Sequence, residues 1–208
     1  MEAEATMTTP ISAGIDTAEL AAQVACCTPD LDEGDQRAQL VLFRLLARGE
    51  PVETARLATE LGLVHADVIE RLRRWHGVHT DRDGSIVAFQ GLSVVEAPHR
   101  MRVHGRDLYT WCAWDALFLP ELIGRPADVR STCPTTGEAV ALRVGPAGPT
   151  EVSPPEAVLS VIRPDASFGD DTIGCFCRFV HFFASPQAAE SWTRRHPDTF
   201  VDLDRPGL

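Results

Sequence analysis

The first half of the chain has apolar residues at helical spacing. From Arg37 onward they recur at steps of three and four, which predicts an amphipathic helix that ends at Gly49. The same spacing predicts a second helix over Glu53–Leu61 and a third over Ala66–Trp75. Two β-prone runs then flank the turn residues Asp81–Gly84. Three helices followed by a hairpin are typical of a winged helix.

After Pro98 the pattern changes to strands. A strand is predicted over Met101–Leu108, and a helix over Tyr109–Leu122 follows it. Ser185 and Pro186 form an N-cap and a first-turn proline for a last helix, which runs to about His196. The further predicted strands are Val129–Cys133, Ala139–Val144, Ala157–Ile162 and Thr172–Phe183. We therefore predict an α+β fold, with a winged-helix-like module over 37–97 and a strand-rich domain with flanking helices over 98–208.

Charge separates the first residues from the rest. Residues 1–36 hold eight acids and no Arg or Lys, which predicts a mobile acidic arm, whereas the whole chain has a net charge of −11. The third helix and the wing carry Arg71, Arg73, Arg74 and Arg82, which fits DNA binding. However, residues 38–90 contain seven Arg and seven acids, so they form no net positive face. We expect no nucleic acid partner.

The chain shows no pattern of a membrane protein or a secreted one. Asp115, Glu121 and Arg178 interrupt its longest apolar stretches, so no transmembrane helix is expected. Met1–Glu4 carries acids where a secretory signal carries basic residues. We expect a cytoplasmic protein, in which six cysteines serve metal binding or catalysis more often than disulfides.

Two cysteine patterns are candidates for chemistry. Cys112 and Asp115 lie three residues apart in the helix predicted over Tyr109–Leu122, so that thiol and carboxyl share a face. In the last predicted strand, alternation places Cys175, Cys177, Phe179 and His181 on one face. A zinc site of Cys133, Cys175, Cys177 and His181 is one alternative, although C-x-C is not the usual zinc spacing. Buried core cysteines are the other alternative.

Three segments resemble the organomercurial lyase (alkylmercury lyase) family. They are HTDRDGSIVAFQGLSV (79–94), LYTWCAWDALFLPELIGRPADVRSTCPTTGEAVAL (108–142) and CFCRFVHFFAS (175–185). The resemblance covers about residues 37–196. It implies a winged-helix-like amino-terminal domain, a catalytic domain over 98–208, and cleavage of the carbon–mercury bond of organomercurials in mercury detoxification.

The family uses two cysteines and one aspartate, and the matching positions here are Cys112, Asp115 and Cys177. The resemblance further implies a structural role for Cys133, no organic cofactor, and transfer of the Hg(II) product to excess cellular thiols or to mercuric reductase. The sequence departs from some relatives in having Arg178 where they have a second cysteine. Catalysis is expected to survive that difference.

The chemistry explains why these residue types are needed. Mercury is a soft metal, so thiolates are its preferred ligands, and a departing carbanion needs a proton from a nearby acid such as Asp115. Asp115 and Cys175 are further candidate mercury ligands, and the pair Cys26–Cys27 could scavenge mercury. The residues predicted to line an apolar pocket for the organic group are Trp111, Trp114, Phe118, Phe176 and Phe179. The alternative functions are a noncatalytic thiol-based mercury or copper binder and a metal-responsive DNA-binding regulator.

Overall fold

The structure is a computed structural model that describes residues 31–161, 172–196 and 202–204. Its helices are α1 (Glu33–Leu46), α2 (Thr54–Leu61), α3 (His65–Arg74), α4 (Ala113–Ile123), α5 (Thr172–Cys175) and α6 (Pro186–Arg195). Its strands are β1 (Val78–Thr80), β2 (Ile86–Phe89), β3 (Leu92–Ser93), β4 (His99–Val103), β5 (Arg106–Thr110), β6 (Ala127–Thr132), β7 (Ala139–Gly145), β8 (Gly148–Ser153), β9 (Val158–Val161), β10 (Phe182–Phe183) and β11 (Asp202–Asp204). Among the described residues, no helix combines the length and the apolar character needed to cross a membrane.

Helix α1 begins four residues before the predicted start at Arg37. The side chain of Asp32 caps it by accepting a hydrogen bond from the main-chain N–H of Asp35 at 2.7 Å. Residues 33–36, which we predicted to belong to the acidic arm, are therefore helical. Residues 1–30 of that predicted arm lie outside the described part of the chain.

The predicted helices and hairpin of the amino-terminal half are present. Helices α2 and α3 lie within one residue of their predicted bounds, and β1 pairs antiparallel with β2 around the predicted turn. Asp81 stabilises this turn, because its Oδ1 accepts hydrogen bonds from the main-chain N–H groups of Asp83 and Ser85. An isolated bridge between Val52 and Ile86 ties the start of α2 to the hairpin.

One antiparallel sheet connects both halves of the chain. Its eight strands lie in the order β1-β2-β3-β5-β4-β6-β7-β8. The hairpin β1–β2 is thus part of the same sheet as the strands beyond residue 98, through the pairing of β3 with β5. The single strand predicted over Met101–Leu108 is wrong, because His104 and Gly105 both have positive φ and form a turn between β4 and β5.

A smaller sheet has the order β10-β9-β11. Helix α4 contacts both sheets, through β4, β5 and β7 on one side and β9 on the other, and it also contacts α1. Such a helix needs apolar residues on most of its surface, and Ala113, Ala116 and Leu119 are completely buried. The amino-terminal end of α4 therefore lies inside the protein.

The strand predicted over Thr172–Phe183 is wrong. The segment forms the short helix α5, a 3₁₀ turn over Cys177–Phe179 and only then the two-residue strand β10. Its Val, Ile and Phe residues favour strands, but the main-chain N–H groups of Phe179 and Val180 bond back to the carbonyls of Phe176 and Cys177. Consequently the alternation that placed Cys175 and Cys177 on one strand face does not exist.

Candidate active site

Cys112 is the N-cap of α4 and not a residue inside the helix. The helix predicted from Tyr109 begins at Ala113, because Tyr109 and Thr110 belong to β5. Cys112 keeps an extended backbone, with φ −140° and ψ 170°. Asp115 is the third helical residue, and its Oδ2 accepts a hydrogen bond from the main-chain N–H of Cys112 at 3.0 Å. The predicted proximity of thiol and carboxyl thus arises from helix capping.

Two further hydrogen bonds hold the main chain of Cys112 and its neighbour. The buried hydroxyl of Thr110 donates to the carbonyl of Cys112 at 2.9 Å. The main-chain N–H of Ala113 donates to the carbonyl of Val180 at 3.1 Å. Because the first N–H groups of a helix have no partner within it, this second bond docks the start of α4 onto the segment that carries Cys177.

Cys177 is the first residue of the 3₁₀ turn, and its carbonyl accepts a hydrogen bond from the N–H of Val180 at 3.2 Å. The turn brings its side chain to Cys112 and Asp115. One potential ligand atom from each of the three residues lies within 4.8 Å of the others. All three side chains are buried: Cys112 is 0% exposed, Asp115 7% and Cys177 3%.

Burial changes the acidity of this group. The pKa of the Cys112 thiol is raised well above its usual value, first by burial, then by its hydrogen bond with the Cys177 thiol and by the negative charge of Asp115. Burial also raises the pKa of Asp115 to about 7, although hydrogen bonds from Cys112 oppose that shift. Asp115 can therefore both accept and donate a proton near neutral pH.

Gly91 belongs to this site, and the sequence analysis missed it. It lies in the turn between β2 and β3 with φ +93°. A Cβ built at Gly91 would lie 2.5 Å from Oδ1 and 2.7 Å from Oδ2 of Asp115. The carbonyl of Gly91 accepts a hydrogen bond from the N–H of Trp111 at 3.0 Å. A Gly between two β-prone runs predicts a turn, but its contact with Asp115 depends on the pairing of β3 with β5.

Along the chain, the aromatic residues predicted to line the pocket lie beside or within α4 and in the Cys177 segment. Phe176 is buried, and the other four are partly buried and pack against the hydrophobic core. Trp111 also makes an edge contact with His79 of the β1 strand, at 4.9 Å between ring centroids. The guanidinium of Arg178 lies over the ring of Phe179 at 4.7 Å.

The residues of the alternative zinc site do not form a described metal-binding group. Cys133 and His181 are not members of the cluster formed by Cys112, Asp115 and Cys177, and the side chain of Cys175 lies outside the described atoms. His181 packs edge-on against Trp192 at 5.3 Å, and burial lowers its pKa. Although burial tends to raise the pKa of Cys133, hydrogen bonds from Thr136 and nearby main-chain groups lower it overall.

Two thiols beside a buried carboxyl can bind a soft metal and exchange a proton with whatever the metal carries. The fold and the site thus define a thiol-based enzyme of soft-metal chemistry.

Comparison with known proteins shows which family of this class the chain belongs to. The profile of the MerB family, described as alkylmercury lyase, matches residues 92–204. The alkylmercury lyase of Staphylococcus epidermidis is 39% identical over 174 residues, which are 82% of this chain and 79% of the relative. The alkylmercury lyase of Pseudomonas putida is 42% identical over 158 residues, which are 76% of this chain and 73% of the relative. The chain belongs to the alkylmercury lyase family, its activity is that of an alkylmercury lyase, and a role in mercury resistance fits this activity.

A crystal structure of the mercury-bound form of MerB2 has a similar fold. It superposes with a TM-score of 0.74 at 23% identity, over 90% of this chain and 92% of that one. The superposition covers nine-tenths of this chain, whereas the family profile begins at residue 92.

Proposed function

We propose that Cys112, Asp115 and Cys177 carry out the protonolysis of the carbon–mercury bond. The observation that carries this proposal is their geometry: two thiols and one carboxyl lie within 4.8 Å of one another, and all are buried. Cys112 and Cys177 bind the mercury atom of the organomercurial, because thiolates are the softest ligands that a protein offers. Asp115 moves the proton.

The proton balance assigns two roles to Asp115. As the Cys112 sulfur binds mercury and displaces its exchangeable ligand, the Asp115 carboxylate takes the thiol proton. When the Cys177 sulfur becomes the second ligand, the carbon–mercury bond breaks, its electron pair stays on carbon, and the Asp115 carboxyl protonates that carbon. The products are a hydrocarbon and Hg(II) bound by two thiolates. The remaining thiol proton passes to solvent.

The raised pKa values support this sequence of steps. A Cys112 thiol that is protonated when free needs a base at the moment of mercury binding, and Asp115 lies beside it. With a pKa of about 7, Asp115 is a better acid–base group at neutral pH than an ordinary carboxyl. A noncatalytic mercury or copper binder would gain nothing from a buried carboxyl with a pKa of about 7. The carboxyl therefore supports an enzyme over that alternative.

The organic group lies against aromatic side chains in our proposal. Trp111 and Trp114 flank Cys112 along the chain, and Phe176 and Phe179 flank Cys177. Phe118 is one turn beyond Asp115 on α4. Phe176 is buried and the other four are partly buried, and their apolar surface supports a role in holding an alkyl or aryl group.

No organic cofactor takes part in these steps, because two thiols and one carboxyl account for every bond made and broken. We further propose that Hg(II) leaves by exchange with excess cellular thiols or by transfer to mercuric reductase. Both routes need a reducing compartment, which fits a cytoplasmic location. The described cysteines Cys112, Cys133 and Cys177 are free thiols, which supports that location.

The amino-terminal module is winged-helix-like in our proposal, and it serves the active site. On the helix that would read DNA, Arg71 pairs with the largely buried Asp35, whereas the exposed Arg73 and Arg74 lie near the acids Glu70 and Asp35, which offset their charge. The hairpin of the module is continuous with the large sheet, and Gly91 touches Asp115. These contacts favour a catalytic accessory over a metal-responsive DNA-binding regulator.

The direct test is the release of benzene from phenylmercury in the presence of excess small thiol. Wild type should turn over repeatedly. Cys112→Ser, Cys177→Ser and Asp115→Asn should each release benzene at background rates, whereas Cys133→Ser, outside the cluster, should stay active. Stoichiometric mercury binding by wild type without benzene would contradict the proposal and favour the noncatalytic binder.

A further inference from the structure

One buried hydroxyl holds the segment that carries Cys177. Ser160 lies in β9 and is 0% exposed. Its Oγ accepts a hydrogen bond from the main-chain N–H of His181 at 2.9 Å and donates one to the carbonyl of Phe179 at 2.8 Å. The main-chain N–H of Ser160 also donates to the carbonyl of His181, at 3.0 Å. The hydroxyl is therefore used fully, as acceptor and as donor.

This arrangement ends the strand pairing next to the active site. Leu159 pairs with Phe182, so His181 is the next residue opposite Ser160. In a regular antiparallel pair the N–H of His181 would bond to a main-chain carbonyl. Here it bonds to the Ser160 side chain, and the same side chain reaches the carbonyl of Phe179. The chain accordingly leaves the sheet at this point and turns into the 3₁₀ turn that begins with Cys177.

Phe179 and His181, whose main chains bond to the Ser160 hydroxyl, lie on either side of Val180. The carbonyl of Val180 accepts the N–H of Ala113 at 3.1 Å, and its N–H bonds to the carbonyl of Cys177 at 3.2 Å. Ala113 directly follows Cys112. Hydrogen bonds and the short peptide segments between them thus connect the hydroxyl of Ser160 to the carbonyl of Cys177 and to the peptide bond that follows Cys112.

We propose that Ser160 is a positioning residue that fixes the separation of the Cys112 and Cys177 sulfurs, so that both bind one mercury atom as the carbon–mercury bond breaks. This inference rests on the roles proposed above for the two cysteines. Ser160 acts through the main chain of residues 177–181 and needs no contact with the substrate. A small displacement of reacting groups lowers a rate on the order of 100-fold, which sets the scale of the expected effect.

The test separates capture of the substrate from cleavage of its bond. We would use the full chain with Cys26→Ser, Cys27→Ser and Cys175→Ser, so that these thiols do not compete for the reagent. With phenylmercury at one equivalent, Ser160→Ala should still capture the reagent through Cys112. Its benzene release per captured phenylmercury, in a single turnover, should fall roughly 10- to 100-fold.

Ser93→Ala is the matched control. Ser93 is also a buried strand serine, and its Oγ likewise accepts one main-chain N–H and donates to one carbonyl, both of Val95. Loss of that hydroxyl should reduce stability without slowing benzene release from the captured reagent. Equal release rates for Ser160→Ala and Ser93→Ala would overturn the proposal.

Ser160→Thr keeps the hydroxyl and tests the proposal even where the alanine variant does not fold. It should release benzene near the parent rate, and a folded threonine variant that captures phenylmercury but does not cleave it would contradict the role of the hydroxyl. If the parent itself captures phenylmercury without releasing benzene, the proposed function of the cluster fails, and that outcome is distinct from a failure confined to Ser160.

Discussion

The main chain of Gly91 lies directly against the carboxyl of Asp115, with no room for a Cβ between them. Gly91 comes from the turn that follows β2, and Asp115 from the first turn of α4. The contact closes one side of the acid–base group with peptide atoms and keeps water away from it. It contributes to the burial of Asp115, which raises the pKa of that carboxyl to about 7. Residue 91 thereby helps to set the acidity of the carboxyl that we propose moves the proton.

We expect Gly91→Ala to impair both stability and chemistry. The new Cβ would lie 2.5 Å from Oδ1 of Asp115, and the backbone at φ +93° disfavours any side chain. Either the turn or the carboxyl must shift. We predict a loss of about 2–4 kcal/mol in unfolding free energy and at least a tenfold lower kcat for benzene release. Denaturant unfolding and steady-state kinetics measure the two effects.

Gly84→Ala is the control for Gly91→Ala. Gly84 also has a positive φ, of +82°, in a turn of the same sheet, but a Cβ there would meet nothing within 4 Å. It should cost about 1 kcal/mol from backbone strain alone and leave kcat unchanged. Similar kcat values for the two variants would show that the contact with Asp115 does not matter to catalysis.

The raised pKa of Asp115 predicts how stability depends on pH. Well below pH 3.8, the usual pKa of the group, the Asp115 carboxyl is protonated in both the folded and the unfolded state and has no differential effect. As pH rises from about 4 to about 7, Asp115 ionises in the unfolded chain but stays protonated in the folded protein. The free energy of unfolding therefore falls over this range. Relative to Asp115→Asn, wild type should become less stable over this range, by on the order of 4 kcal/mol at pH 8. Unfolding of both proteins in denaturant at pH 4 and pH 8 measures the change, and a difference independent of pH would contradict the raised pKa.

Local patterns in the sequence were sufficient to predict most helices and hairpins. The spacing of apolar residues and the capping glycines located α2, and Ser185 with Pro186 located α6. The family motifs indicated Cys112, Asp115 and Cys177 before any geometry was known. These features depend on residues close together in the chain, so a single sequence carries them.

What the sequence could not predict depends on contacts between distant segments. Residues 172–183 look like a strand by composition, but the bonds from Ser160 end the strand pairing at His181. Gly91 reaches Asp115 only because β3 pairs with β5. The early start of α1 is a local effect that we missed, since Asp32 is a good N-cap by residue type alone.

Thr110 supports Cys112, one of the two proposed mercury ligands, through its hydroxyl, and we expect Thr110→Val to lower kcat. The completely buried Thr110 donates to the carbonyl of Cys112 at 2.9 Å. Valine preserves the shape but leaves that carbonyl without this donor, which should cost about 1–3 kcal/mol in unfolding free energy. Because we propose that Cys112 binds mercury, a shift of its main chain should also lower kcat, by roughly tenfold.

Thr135→Val serves as the comparison for Thr110→Val. Thr135 likewise donates a hydroxyl hydrogen bond to a main-chain carbonyl, that of Ala188 at 2.8 Å, but it does not touch the cluster. Its loss should reduce stability by about 1 kcal/mol and leave kcat as in wild type. Thermal unfolding and benzene release would be measured on both variants. If both change kcat equally, the effect at Thr110 is a general loss of stability.

Cys133 should matter to folding and not to chemistry. It is buried where β6 meets its turn, and its main-chain N–H and carbonyl bond to Glu138 and Gly137. Hydrogen bonds from the turn and from Ala184 surround its sulfur. Cys133→Ala removes the sulfur and should lower the unfolding free energy by about 1–2 kcal/mol. Benzene release per folded molecule should remain within about twofold of wild type, since a change of that size in rate is below 0.5 kcal/mol in activation free energy. A loss comparable with that of Cys177→Ser, measured at a temperature where both variants are folded, would instead make Cys133 a third mercury ligand.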